Sequence, residues 1–173
     1  MIKKIKENVV MDNGFVRVYN DHVEFNGGIK GQYFRMSLSE RLPNYGVAII
    51  CEYNGKFIIM DNYRYAHNGF LIEIVKGMGM NDKTPEETAR IEVEEEIGGR
   101  LENLISLGEV KGDLSDTIIH CFHAKISSFI DTNHEETETI ENIRLVSIEE
   151  IKKLIRNNEI QDTVTLSLFA KIL

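Results

Sequence analysis

Residues 92–99 read Glu92-Val93-Glu94-Glu95-Glu96-Ile97-Gly98-Gly99, four carboxylates within five positions. A helix turns about 100° per residue, so Glu92, Glu95 and Glu96 fall on one stripe while Glu94 points elsewhere. Ala89, Val93 and Ile97 form a neighbouring apolar stripe at the same repeat, which docks such a helix on a core. Upstream, Thr84-Pro85-Glu86-Glu87 is a helix-start signal: Thr84 caps the first turn, Pro85 suits the first helical position, and Glu87 completes a capping box. Gly98 or Gly99 ends the helix in a left-handed conformation. The spacing predicts a helix over 85–97 with a three-carboxylate patch on its C-terminal half.

That patch sits at the end of the helix where the macrodipole disfavours negative charge, and like charges three or four residues apart also repel. Each effect is only a few tenths of a kcal/mol to about one, so a merely solvated Glu-rich face is one reading. The one-sided geometry and the glycine pair just upstream, Gly77 and Gly79, favour a second: the stripe holds a divalent cation. Carboxylate oxygens are hard ligands, which points to Mg²⁺, with Mn²⁺ as an alternative, rather than zinc.

The segment 77–99 resembles a Nudix box, whose pattern is Gly, five residues, Glu, seven residues, Arg-Glu-apolar-any-Glu-Glu-any-Gly-apolar. Gly77, Glu92-Val93, Glu95-Glu96 and Gly98 match it. Lys83 stands at the early Glu position, Ile91 at the Arg position and Gly99 at the closing apolar position. In the family that Glu and Arg help hold loop and helix together. Losing both leaves no buried charge without its partner, and Arg90 is about 100° away on the wheel, so it does not simply replace the missing Arg. The resemblance implies an α/β fold, the Nudix α/β/α sandwich with a mixed sheet, and Mg²⁺-dependent hydrolysis of a nucleoside diphosphate linked to another group.

A narrower resemblance covers most of residues 14–173. Asn62-Tyr63-Arg64-Tyr65 followed by Leu71-Ile72-Glu73-Ile74-Val75-Lys76-Gly77 is similar to the ADP-ribose pyrophosphatase branch, which carries Gln-Tyr-Arg and then Glu-apolar-Pro-Ala-Gly. Val75-Lys76 replaces Pro-Ala, and Lys111 stands where that branch has Pro before Gly112-Asp113. Asp162-Thr163-Val164-Thr165 matches a recurring start of the C-terminal helix. The resemblance implies that Arg64, Glu73 and Tyr63 contact substrate. It implies that Glu92, Glu95 and Glu96, with the Lys76 or Gly77 backbone carbonyl, hold one to three ions, and that Glu136 or Glu138 of an acidic loop positions or deprotonates the attacking water. It further implies a homodimer built through residues 1–40, an N-terminal antiparallel β ribbon, ahead of a hydrolase domain over 41–173. The departures at Lys83, Ile91, Lys76 and Lys111 motivate a rival reading, a catalytically weak or inactive Nudix-like domain that binds a nucleotide as a sensor.

Composition agrees with an enzyme of small anionic molecules. A chain of 173 residues is most simply one folded body with a sizeable core. Its net charge of −8 argues against a nucleic-acid polymer as partner, but a nucleotide is handled locally by a cation and Arg. Cys51 and Cys121 lie in apolar runs without a Cys-x-x-Cys motif, which reads as buried thiols in a reducing compartment. No apolar signal core or membrane-length run is present, so the expected location is the cytoplasm, with no membrane partner.

Periodicity predicts a strand over 15–25 with a turn at Asn20-Asp21, a turn at Asn26-Gly27-Gly28, and a strand over 32–38. Strands at 45–53 and 56–65 flank the hairpin turn Asn54-Gly55, and 70–75 reads as one short strand. Further strands are expected over 101–110, 117–126 and 142–146, and helices over 148–157 and 162–172.

Overall fold

The computed structural model describes residues 1–130 and 139–173. Four strands precede residue 40: β1 (Lys3–Lys6), β2 (Val9–Asp12), β3 (Val16–Glu24) and β4 (Lys30–Leu38). β4 runs antiparallel along one side of β3, and β1 and β2 share its other side. The turn expected at Asn20-Asp21 is absent; β3 runs straight through. Asn20 and Asp21 pair in register with Phe34 and Tyr33 of β4, and Asp21, 3% exposed, accepts the Asn8 N–H at 3.0 Å and Arg35 Nε–H at 2.8 Å. β1 and β2 were not anticipated because every residue in them is exposed, so they show no burial alternation to read. The ribbon is stitched to the rest of the chain at Met36, whose N–H donates to Leu114 O at 2.7 Å and whose carbonyl accepts the Asp116 N–H at 3.2 Å.

β5 (Tyr45–Tyr53) and β6 (Lys56–Arg64) form the central hairpin. Asn54 and Gly55 turn it with φ of 52° and 73°, the left-handed pair a two-residue hairpin turn requires. The two strands pair only near that turn, from Cys51–Ile58 to Tyr53–Lys56, and then splay. β7 (Gly69–Glu73) pairs with β6 and β8 (Val75–Met78) with β5, filling the wedge. The single strand expected over 70–75 is therefore two, changing partner at Ile74. This places Glu73, Lys76 and Gly77 at the mouth of the opening between the diverging strands.

α1 (Pro85–Ile97) follows, then β9 (Gly99–Lys111), β10 (Ile118–Phe129), β11 (Ile140–Val146), α2 (Ile148–Arg156) and α3 (Thr163–Phe169). The larger sheet has the order β11-β6-β5-β10-β9, with β5 and β10 parallel and the other pairs antiparallel. Alternation on β5 builds two cores. Val47, Ile49 and Cys51 face Ala89, Val93 and Ile97 of α1; Ala48 and Ile50 face Ile151, Leu168 and Phe169 of α2 and α3. Helices on both faces of a mixed sheet make the expected α/β/α sandwich. No helix among the described residues is long and apolar enough to cross a membrane.

Candidate active site

α1 begins and ends where its sequence says it should. Glu87 N–H donates to Thr84 Oγ1 at 3.2 Å and Thr84 N–H to Glu87 Oε2 at 2.8 Å, a complete capping box. Of the two candidate stop residues it is Gly98 that turns left-handed, at φ 61°. Gly99 instead opens β9, and a Cβ there would press on Val93 Cγ1 at 2.9 Å and Ile126 Cδ1 at 3.1 Å. That crowding explains why no apolar side chain closes the box.

With Ala89, Val93 and Ile97 buried, the helix orients its acids unequally. Glu87 and Glu94 are exposed, Glu92 and Glu95 half-buried, and Glu96 is 3% exposed. Glu96 Oε1 accepts the Lys76 N–H at 3.4 Å, tying the helix to β8. Glu92 lies flat against Gly77: a Cβ at that position would fall inside its carboxylate, so only glycine allows this approach. This cradle and the all-oxygen donor set fit a hard divalent ion. No three carboxylate, imidazole or thiolate groups among the described residues are already gathered at metal-holding geometry.

On the opposite side of β8 the side chains form an alternating chain of charge. Arg64 holds Glu73 with two parallel bonds, Nε to Oε1 at 2.9 Å and Nη2 to Oε2 at 2.6 Å. Lys76 Nζ sits 3.0 Å from Glu73 Oε2 and 2.9 Å from Asp162 Oδ1. Asp162 Oδ2 caps α3, accepting the Thr165 N–H at 2.8 Å and its hydroxyl at 2.7 Å. Glu73 is 1% exposed and balanced by two cations. Its bond to Arg64, outweighing desolvation, holds the guanidinium above its ordinary range, with Asp162 and Glu96 adding to the effect. Burial pushes the Asp162 carboxyl up, but Lys76 beside it and the Thr165 bonds outweigh that and hold it below the usual carboxylate range. A depressed folded value means its contribution to stability is present above the ordinary carboxylate range and lost as pH falls through the folded value.

A cleft of about 400 Å³ is lined among others by Tyr45, Arg64, Lys76 and Gly77, the glycine against which Glu92 packs. Arg64, Glu73, Lys76, Gly77, Glu92 and Glu96 thus converge on β8. Tyr63 does not join them; next to Arg64 on β6 it takes the other face, where its hydroxyl donates to Asn68 Oδ1 at 3.0 Å and its ring meets Phe70 edge-on. Glu136 and Glu138 lie outside the described residues. Arg90 is exposed beside Glu94 and Arg100, away from the carboxylate stripe. Two participants were missed from sequence. Asp162 has a readable local signal, an acid three residues before Thr165 at a helix start, but its ion pair with Lys76 has none. Tyr45 has no local signal at all.

Comparison with known proteins identifies the family and the fold. A model of the NUDIX domain matches residues 41–168. An ADP-ribose pyrophosphatase of Bacillus subtilis (strain 168) is 27% identical over 169 residues, covering 94% of this chain and 88% of that one. The crystal structure of an ADP compounds hydrolase superposes with a TM-score of 0.85, covering 99% of this chain and 91% of that one; at 17% identity this speaks to the fold alone.

Proposed function

The chain belongs to the NUDIX domain family of hydrolases, and from that premise we propose that it cleaves the diphosphate bond of a nucleoside diphosphate linked to a sugar or similar group, using Mg²⁺. What supports the substrate class is one adjacency. Arg64, Lys76 and Gly77 line one cleft, and the acids of α1 meet β8 at those same residues, Glu92 against Gly77 and Glu96 on the Lys76 N–H. A diphosphate needs both: cationic groups for its oxygens and an acid patch for the ion that neutralises it. The similarity to an ADP-ribose pyrophosphatase supports the adenosine diphosphate sugar class.

In this reading Glu92, Glu95 and Glu96 hold the ion, with a backbone carbonyl of Lys76 or Gly77. When bound, Mg²⁺ supplies charge neutralisation at the diphosphate and acidifies the attacking water. Arg64 contacts a phosphate or the ribose; Glu73 acts through it, fixing the plane of the guanidinium by the two-point bond. Glu136 or Glu138, or one of Glu92, Glu95 and Glu96, takes the proton as water oxygen bonds to one phosphorus. The bridging P–O bond breaks, leaving two phosphomonoesters.

The test is phosphomonoester release from a panel of nucleoside diphosphate sugars with and without Mg²⁺. The expected result is cleavage that EDTA abolishes. Saturable binding without release would instead favour the sensor reading that Lys83 and Ile91 motivate, and neither binding nor release would sink both.

We also propose that residues 1–40 act as a dimerisation extension to a hydrolase domain over 41–173. Ile5, Val9, Met11, Phe15, Ile29 and Phe34 are exposed on the ribbon, a density of apolar side chains that commonly marks an interaction surface. Light scattering at micromolar concentration should give twice the chain mass of 19.8 kDa. A fully active species of the single mass would remove the dimer as a functional requirement.

A further inference from the structure

Lys83 and Ile91 cannot form an ion pair, so the loop after β8 and the helix it feeds must be fastened by something else. Tyr45, at the start of β5, touches both. Its hydroxyl lies 2.8 Å from Lys83 O, 3.3 Å from Met80 O and 2.9 Å from Thr88 Oγ1. A phenol has one proton to donate and lone pairs to accept. The geometry therefore has it donate toward the loop carbonyls, Lys83 O being the nearer, while it accepts from the Thr88 hydroxyl. Thr88 is fully buried in the first turns of α1. The rest of Tyr45 grips the same loop. Its carbonyl accepts the Gly79 N–H at 2.8 Å, and its ring packs so closely on Gly79 that a Cβ there would sit 2.9 Å from ring carbon Cδ1 and 2.7 Å from Tyr45 O. The edge of the ring is backed by His120, with centroids 5.7 Å apart at 78°.

We propose that Tyr45 is a positioning residue: its hydroxyl clamps the loop at 79–83 to the first turns of α1 and so sets where the Glu92, Glu95 and Glu96 stripe meets β8. The acids sit on the C-terminal half of a rigid helix of 13 residues. A small change in how the N-terminal end is seated therefore moves the carboxylates relative to Gly77 and Lys76. Tyr45 itself touches no reacting group in this assignment. The assignment rests on the hydrolase reading for its metal arm only.

Tyr45→Phe in the full chain removes the hydroxyl and keeps the ring. In metal-free protein, amide hydrogen exchange over 79–88 should rise about tenfold, the factor one ordinary hydrogen bond makes in an opening equilibrium, with β10 unchanged. Mn²⁺ affinity by calorimetry should weaken by a similar factor. Adding Lys83→Glu and Ile91→Arg to Tyr45→Phe should reverse both changes, because an ion pair then spans loop and helix. Thr88→Val, which removes the other end of the bond at equal volume, should reproduce the exchange change. Wild-type exchange over 79–88 in Tyr45→Phe overturns the proposal. So does raised exchange with unchanged Mn²⁺ affinity, which would make the contact structural only, and so does failure of the charge pair to restore either readout. If the wild-type chain neither binds Mn²⁺ nor hydrolyses the panel, the function reading fails while the exchange arm still judges the clamp.

Discussion

Glu96→Gln should lower kcat by about a hundredfold or more, equivalent to roughly 2.7 kcal/mol of transition-state stabilisation, without unfolding the protein. The side chain is 3% exposed in the last turn of α1, and its volume is nearly that of Gln, so packing should survive. What changes is charge. Glu96 is felt by its surroundings: after burial itself it is the second cause raising the Cys51 thiol, and it helps hold Arg64 protonated. In metal-free protein this anion lies at the disfavoured end of a helix dipole, one position from Glu95 and four from Glu92. Removing it should leave the metal-free melting temperature unchanged or raise it. In the loaded enzyme the same removal takes a hard ligand from an ion worth several kcal/mol to the reaction. Stability and turnover thus move in opposite directions, which a generic packing defect does not produce. Glu95→Gln should behave alike, and Glu94→Gln, whose side chain is exposed on another face, should behave as wild type. Wild-type kcat in both Glu95→Gln and Glu96→Gln across a Mg²⁺ titration would show the site assignment to be wrong.

The parts of this molecule that could be read from sequence are those whose cause is local. α1 was legible to both ends because Thr84, Glu87 and Gly98 act within their own turns. The β5–β6 hairpin was legible because Asn54-Gly55 permits little else. The carboxylate stripe followed from helical period. What was hidden depends on distant partners. The break at Ile74 arises because β5 and β6 diverge, a property of the whole sheet rather than of residues 70–75. Asn20-Asp21 looks like a turn until Arg35 and Asn8 are placed around Asp21. Lys76 stood out as a departure from a motif and for its backbone carbonyl; that its ammonium reaches across to Asp162, far along the chain, carries no sequence signal. The same holds for the Tyr45 hydroxyl and the loop it fastens.

Glu73→Ala should be the most destabilising single change in the cleft, at about 3 kcal/mol, the low end of the range for breaking a buried ion pair from one side. Two cations converge on this carboxylate, which is 1% exposed. Deleting it removes the two-point bond that holds Arg64, whereas Lys76 retains Asp162 at 2.9 Å. Arg64 is 40% exposed, so water relieves part of its loss; hence the low end. Lys76→Met should cost less, because Glu73 keeps both bonds to Arg64 and Asp162 keeps both bonds to Thr165. The ordering Glu73→Ala below Lys76→Met below wild type is read from urea midpoints at constant slope. Function should follow a different ordering. With the two-point bond gone, Arg64 loses its fixed plane, so Glu73→Ala should raise KM for a diphosphate substrate well beyond what the lost stability explains, measured at a temperature where the variant is fully folded. If Glu73→Ala were within about 0.5 kcal/mol of wild type, as a surface substitution is, the charge chain through β8 would be neither what holds the cleft together nor what aims Arg64 into it.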